Sequence, residues 1–338
     1  MKQDQFLVLS TAEKLSFGAP ESMRGASFVP DWNSFMVFKH FTQAFLALGM
    51  FIMPFEAGSK TTVPSTLTVG PDQLLVGTIK GAPASIRMIA AGPKTLFLNP
   101  ETVERHSIRN GMFSGEGRVG PVRKRINTAV LSYSIEGATS KRRVLWSDAD
   151  YAPLADGGIG PGGVPHAIII LNLRSAAPGE REFELPMVTA PASYGALGTS
   201  VRIGGQNHSI LFDLTRETSL ATAAAAAALS RSNGAQLQGP VGQDLIRLGI
   251  SRPTRRLILA SPLTIGLLKV TDMRARTADN SDGSAIAAED IDVGEIVVTG
   301  KGTRQKPLYS ISLGRDALSR CSSMIFDKKR RIIRLRCW

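Results

Sequence analysis

From Thr61 onward, apolar residues recur at alternate positions in short runs, and Gly, Pro, Asn and Asp interrupt them. Leu74–Gly81 (LLVGTIKG), Ser85–Ala90 (SIRMIA), Asn127–Ile135 (NTAVLSYSI), Arg143–Trp146 (RVLW) and His166–Leu173 (HAIIILNL) are the clearest cases. A period of two, closed by turn residues, predicts β-strands. Helical periodicity is scarce. Its main exception is the alanine run Ala223–Ala228, whose high intrinsic propensity predicts a short helix. The fold class expected is all-β, with short helices.

The first 59 residues read differently. Phe41–Phe55 is one apolar run, preceded by Lys39 and His40 and followed by Ala57, Gly58 and Ser59. A basic flank, an apolar stretch and small residues form the layout of a secretory signal peptide, here spanning Met36–Ser59. The run falls short of the roughly 20 apolar residues of a membrane span. Residues 1–59 are therefore expected to be a leader. No stable transmembrane span remains after its removal, and the mature chain is expected in the periplasm or secreted.

The remainder divides in two. Between Ser175 and Gly198 the apolar pattern gives way to Pro, Gly and charge, which places a boundary near residue 190, between halves 60–190 and 191–338. The halves resemble each other when Ala90 is set against Asp213. Each then has a strand, a Gly turn (Gly81, Gly204), a second strand ending in an apolar pair (Met88-Ile89, Leu211-Phe212), a tight turn and a short helix. Each also closes on an apolar-Gly pair, Ile159-Gly160 and Leu313-Gly314.

Composition refines this picture. The 338 residues are 43% hydrophobic and 20% charged, which argues against disorder and against a multi-span membrane protein. A net charge of +12 suits anionic surfaces. The basic residues fall in short clusters without a nucleic-acid-binding motif, so nucleic acid is not an expected partner. From Ile333 the C-terminus alternates charged and apolar residues, as a half-buried strand with one cationic face would. Only Cys321 and Cys337 occur, flanking a turn at Asp327–Arg330; an exported chain could pair them across that hairpin.

A strand, a sharp turn carrying Asp, a short helix and a later apolar-Gly strand resemble the half-site of the pepsin and retropepsin-like aspartic peptidases. The likeness runs over most of residues 70–338, clearest in SILFDLTRETSLATAAAAAALS, ADGGIGP and LGRDALSRCSSMIFD. It implies a bilobal, aspartic-protease-like fold of two related β lobes with a peptide cleft between them. It also implies one Asp-Thr-Gly turn from each lobe, the two carboxylates sharing a proton to activate water, as the handling of paired acids requires. This chain departs from that pattern. The first turn reads Ala90-Ala91-Gly92 and has no acid; the second reads Asp213-Leu214-Thr215. Asp213 is the candidate catalytic residue, and it lacks a partner. Losing a positioned acid or base costs about two to four orders of magnitude in rate.

The expectation is thus a catalytically impaired, aspartic-peptidase-like protein that binds an extended peptide or protein segment in the cleft. One alternative is an active endopeptidase using Asp213 with a second acid such as Asp156 or Asp272. Another is a cell-envelope structural or adaptor protein whose basic faces meet an anionic polymer. No cofactor or metal is expected. Gly158–Gly163 has a GxGxxG spacing, but Pro161 interrupts it and a strand follows, which indicates a turn. Ala278–Glu289 approximates a calcium loop, with Ala at the first ligand position and no flanking helices. The four histidines are scattered, without zinc spacing.

Overall fold

The structure is a computed structural model that describes residues 64–191, 193–279 and 307–338. The proposed leader, and the calcium-like loop beyond Asp279, lie outside the described residues.

The first half contains β1 (Thr66–Val69), β2 (Leu74–Ile79), β3 (Ala82–Met88), β4 (Phe97–Leu98) and α1 (Pro100–Arg105). It continues through β5 (Ser114–Val119), β6 (Val122–Ile135), β7 (Ala138–Trp146), β8 (Gly157–Ile159), β9 (Ile168–Asn172) and β10 (Arg181–Pro186). The second half repeats the theme. Together with β11 (Val188–Thr189), which lies just before the boundary and pairs with this half, it runs β12 (Leu197–Ile203), β13 (Gln206–Phe212), β14 (Leu220–Ala221), α2 (Ala223–Asn233), β15 (Gln236–Arg247), β16 (Ile250–Ile265) and β17 (Leu268–Arg276). After β18 (Ser310–Leu313) come α3 (Arg315–Leu318), β19 (Cys321–Asp327) and β20 (Ile332–Cys337). The all-β expectation holds.

Each half has its own sheet, and the pairing pattern is shared. In the first, β3 runs parallel to β8, β4 parallel to β7, and β4 antiparallel to β8. In the second, β13 and β18, β14 and β17, and β14 and β18 stand in the same three relations. A third sheet, in the order β1-β9-β19-β20-β10, joins strands from both. The stretch read from sequence as a boundary therefore contains two strands, one of which, β10, pairs with the chain's last strand.

Strand alternation supplies the core. β3 and β13 bury Ile86 and Met88, and Ile210 and Phe212, while β19 buries Met324 and Phe326. α2 begins at Thr222, whose hydroxyl accepts from the Ala225 N–H at 3.3 Å, and ends at the left-handed Gly234. Its alanine face is buried against β16 and β17, where small side chains allow close approach. Cys321 and Cys337 face each other across β19 and β20 and form a disulfide. No helix among the described residues is long and apolar enough to cross a membrane.

The equivalence between halves is shifted by one residue from the sequence reading. The hairpin β2–β3 closes Ile79 on Ala82 through Lys80 and Gly81, with φ of 51° and 85°. The hairpin β12–β13 closes Ile203 on Gln206 through Gly204 and Gly205, with φ of 56° and 81°. Two consecutive left-handed residues are what such a tight hairpin requires. Gly81 thus corresponds to Gly205, not Gly204, and Met88 to Phe212. The residue equivalent to Asp213 is Ile89, not Ala90.

Candidate functional site

Asp213 follows the last residue of β13, and its N–H donates to Leu313 O at 2.7 Å. Ile89 does the same after β3, donating to Ile159 O at 2.9 Å. The apolar-Gly pairs noted in the sequence lie beside these two turns for a steric reason. A Cβ on Gly160 would collide with Gly92 O, and one on Gly314 would lie 2.7 Å from the Thr218 carbonyl carbon. Only glycine lets the backbones approach so closely.

The Asp213 carboxylate is engaged by its own turn. Thr215 donates its N–H to Oδ1 at 3.1 Å and its hydroxyl to the same oxygen at 2.5 Å. Arg216 Nε lies 3.2 Å from Oδ2, and each side chain of this pair is only 15% exposed. Arg216 also donates to Leu245 O at 2.9 Å and Ile246 O at 2.7 Å on β15. The turn is braced from behind by α3. Arg315 Nε donates to Leu214 O at 2.8 Å, and Asp316 accepts from the Ser219 N–H at 2.9 Å and hydroxyl at 2.7 Å. Sequence reasoning missed Arg216, Arg315 and Asp316. Only their closeness to the DLT and LG motifs could have pointed to them.

The surroundings of Asp213 are cationic and aromatic. Tyr151, from the first half, stacks on Phe97 with ring centroids 4.5 Å apart. Burial pushes its hydroxyl well above the ordinary tyrosine range, and the Asp213 charge adds to that. Arg276 is buried and paired with Asp279 at 2.5 Å. Burial lowers the Arg276 pKa, the Asp279 charge opposes this, and the charges of Arg252, Arg247 and Arg216 add to the lowering. The acids proposed as rival partners are committed elsewhere. Asp156 accepts from Ser85 N at 2.7 Å and from Arg105; Asp272 pairs with Arg256.

Residues of both halves line one cleft of about 1660 Å³, with Ile89, Tyr151, Asp213 and Arg216 among its walls. Its floor on the second half carries Ser209, Leu211, Ser310 and Ser312. The charged lining is balanced rather than basic: Arg274 meets Asp244 at 2.9 Å, alongside the Arg216–Asp213 and Arg276–Asp279 pairs. Gly158–Gly163 forms a strand end and a turn with no helix after it. Among the described residues, no group of three or more His, Cys, Asp or Glu gathers as a metal site would need.

The basic C-terminal strand and the turn before it are also compensated. Arg334 lies 3.3 Å from Glu182 and Arg330 3.2 Å from Glu184, both glutamates on β10. No family model matches the chain, and no curated protein does.

Proposed function

We propose that this chain is an aspartic-peptidase-like protein that binds an extended peptide segment between its halves without hydrolysing it. The observation that carries the reading is the pairing of equivalents: where Asp213 ends one parallel ladder, Ile89 ends the other. Hydrolysis of this type needs one acid to take the water proton while a second polarises the carbonyl. Here the single carboxylate is held by Thr215 and Arg216. The remaining cleft, about 1660 Å³ and lined from both halves, has room for an extended chain, whose backbone could add to a strand edge. The Cys321–Cys337 bond suits an oxidising compartment and so supports the reading of a periplasmic or secreted protein.

The test is paired. The purified chain is incubated at acid pH with an unstructured protein, and fragments are sought by mass spectrometry. Labelled extended peptides are then titrated against it by fluorescence anisotropy. Saturable binding without fragments is the expected result. Cleavage that disappears in Asp213→Asn would replace this reading with the active-peptidase one.

A further inference from the structure

The hairpin β15–β16 reverses through Leu248 and Gly249, with φ of 55° and 71°. A left-handed conformation is rare for leucine and persists only where the surroundings fix it. A hairpin tip ordinarily faces water. This one does not: Leu248 is 4% exposed, whereas Leu245 on the same hairpin is 60% exposed.

Leu248 packs in a small cluster separate from the main core, with Phe97, Ile126, Leu145 and Tyr151. All four partners belong to the first half, and Leu248 alone comes from the second. The tip is fixed on either side. Arg247 donates to Arg118 O at 2.6 Å on β5, and its guanidinium lies over the Tyr194 ring at 5.6 Å. Behind the tip, Arg216 links the carbonyls of Leu245 and Ile246 to Asp213. The cleft-lining residues include Leu248, Phe97 and Tyr151, so the pocket filled by Leu248 opens on the cleft itself.

We infer that Leu248 is an internal pseudo-ligand: the second half's hairpin inserts a leucine into an aliphatic-aromatic subsite of the first half, and an extended peptide competes for that subsite with a branched aliphatic side chain of its own. The inference deepens the peptide-cleft reading and rests on it for the identity of the ligand. The pocket's chemistry supports the choice. Phe97, Ile126 and Leu145 give it apolar walls, and a branched aliphatic group is what it already holds.

The experiment compares the full chain with Leu248→Ala and Leu248→Met. The probes are a short Ser/Thr peptide bearing one leucine, the same peptide with aspartate in that place, and N-acetyl-leucine amide. Emptying the pocket is expected to tighten the leucine peptide about tenfold to a hundredfold, the range that one aliphatic group in an apolar pocket commands. The aspartate peptide is expected to be unaffected, and Leu248→Met to behave as the unmodified chain. The amide should bind Leu248→Ala alone. Equal affinity of the leucine peptide for all three proteins would overturn the inference while leaving peptide binding intact. Amide bound by Leu248→Ala, with neither peptide bound by any variant, would sink the peptide reading and keep Leu248 as the subsite's occupant. Failure of both amide and leucine peptide overturns the inference outright. Gly117→Ala provides a second route should Leu248→Ala not fold. Its Cβ would collide with Leu248 Cδ1, and displacing that side chain is expected to give the same gain with leucine still present.

Discussion

Ile89 and Asp213 are structural equivalents with opposite chemistry. Each donates its N–H to the carbonyl of the residue before a closely packed glycine, Ile159 O at 2.9 Å for one and Leu313 O at 2.7 Å for the other. Ile89 is 5% exposed. Ile89→Asp therefore places a carboxyl in a desolvated site on the wall of the cleft that Asp213 also lines. It is expected to destabilise the fold by at least about 3 kcal/mol at neutral pH, through lost packing and an unfavourable charge. Burial raises the pKa of the introduced group above its unfolded value, so the loss shrinks as acid protonates it. Urea melts at neutral and acid pH measure this. No peptidase activity is expected, since Thr215 and Arg216 still hold Asp213. Robust acid cleavage by the variant would show that one substitution rebuilds the pair.

Arg216 joins the Asp213 turn to β15 by three contacts. Arg216→Met strips the cation from a largely buried carboxylate and leaves two carbonyls without that donor. A cost of about 2–3 kcal/mol is expected in a denaturant titration. The double-mutant cycle with Asp213→Asn should return a coupling of about 1–2 kcal/mol. A coupling near zero would mean that the guanidinium serves the carbonyls and not the acid.

The strands and the twofold repeat were legible because alternation and turn residues are local signals. The register between halves was not. Met88-Ile89 and Leu211-Phe212 are equally apolar, so matching by character tolerates a slip of one residue, whereas a hairpin turn does not. The pairs Lys80-Gly81 and Gly204-Gly205 fix the alignment only once their φ angles are known. Arg216 was overlooked because an arginine three residues after an acid is common on any surface. Leu248 was beyond reach, since its partners Phe97 and Ile126 lie far away in the chain. The cationic strand β20 reads as free in the sequence because Glu182, which meets its Arg334, sits on β10, in a stretch that reads as a boundary.

Cys321 and Cys337 close a segment with a sequence separation of 16, and both are fully buried. Cross-linking a loop of this size restricts the unfolded chain by about 2–4 kcal/mol. Cys321→Ala with Cys337→Ala is expected to lose that much in guanidinium unfolding, and reductant added to the unmodified protein should approach the same midpoint. The bond ties the last residues of β20 to β19 in the sheet shared by both halves. Loss is therefore expected to be global, with a single cooperative transition. A separate early transition confined to one half would contradict that placement.

Two buried histidines are expected to contribute to the response to acid. His208 is fully buried on β13, with Nδ1 3.0 Å from Gln206 O and its ring edge-on to Tyr309 at 5.0 Å. Burial pushes its pKa below the ordinary histidine value, partly opposed by the Gln206 carbonyl. His166, also buried, is lowered by burial and further by the Lys328 charge. A depressed folded pKa means that the unfolded chain binds the proton more readily. Stability from these groups is thus fully present above the unfolded value near 6.5 and is lost as pH falls through the folded values. Urea midpoints should decline from neutral toward mildly acid pH, opposite to the acid preference of a working carboxyl pair. His208→Leu removes one of the titrating groups and the unpartnered Nε2 with it. Its decline should be shallower than that of the unmodified chain, and His166→Leu should flatten it further when combined. Parallel curves for all three proteins would assign the acid sensitivity to other groups.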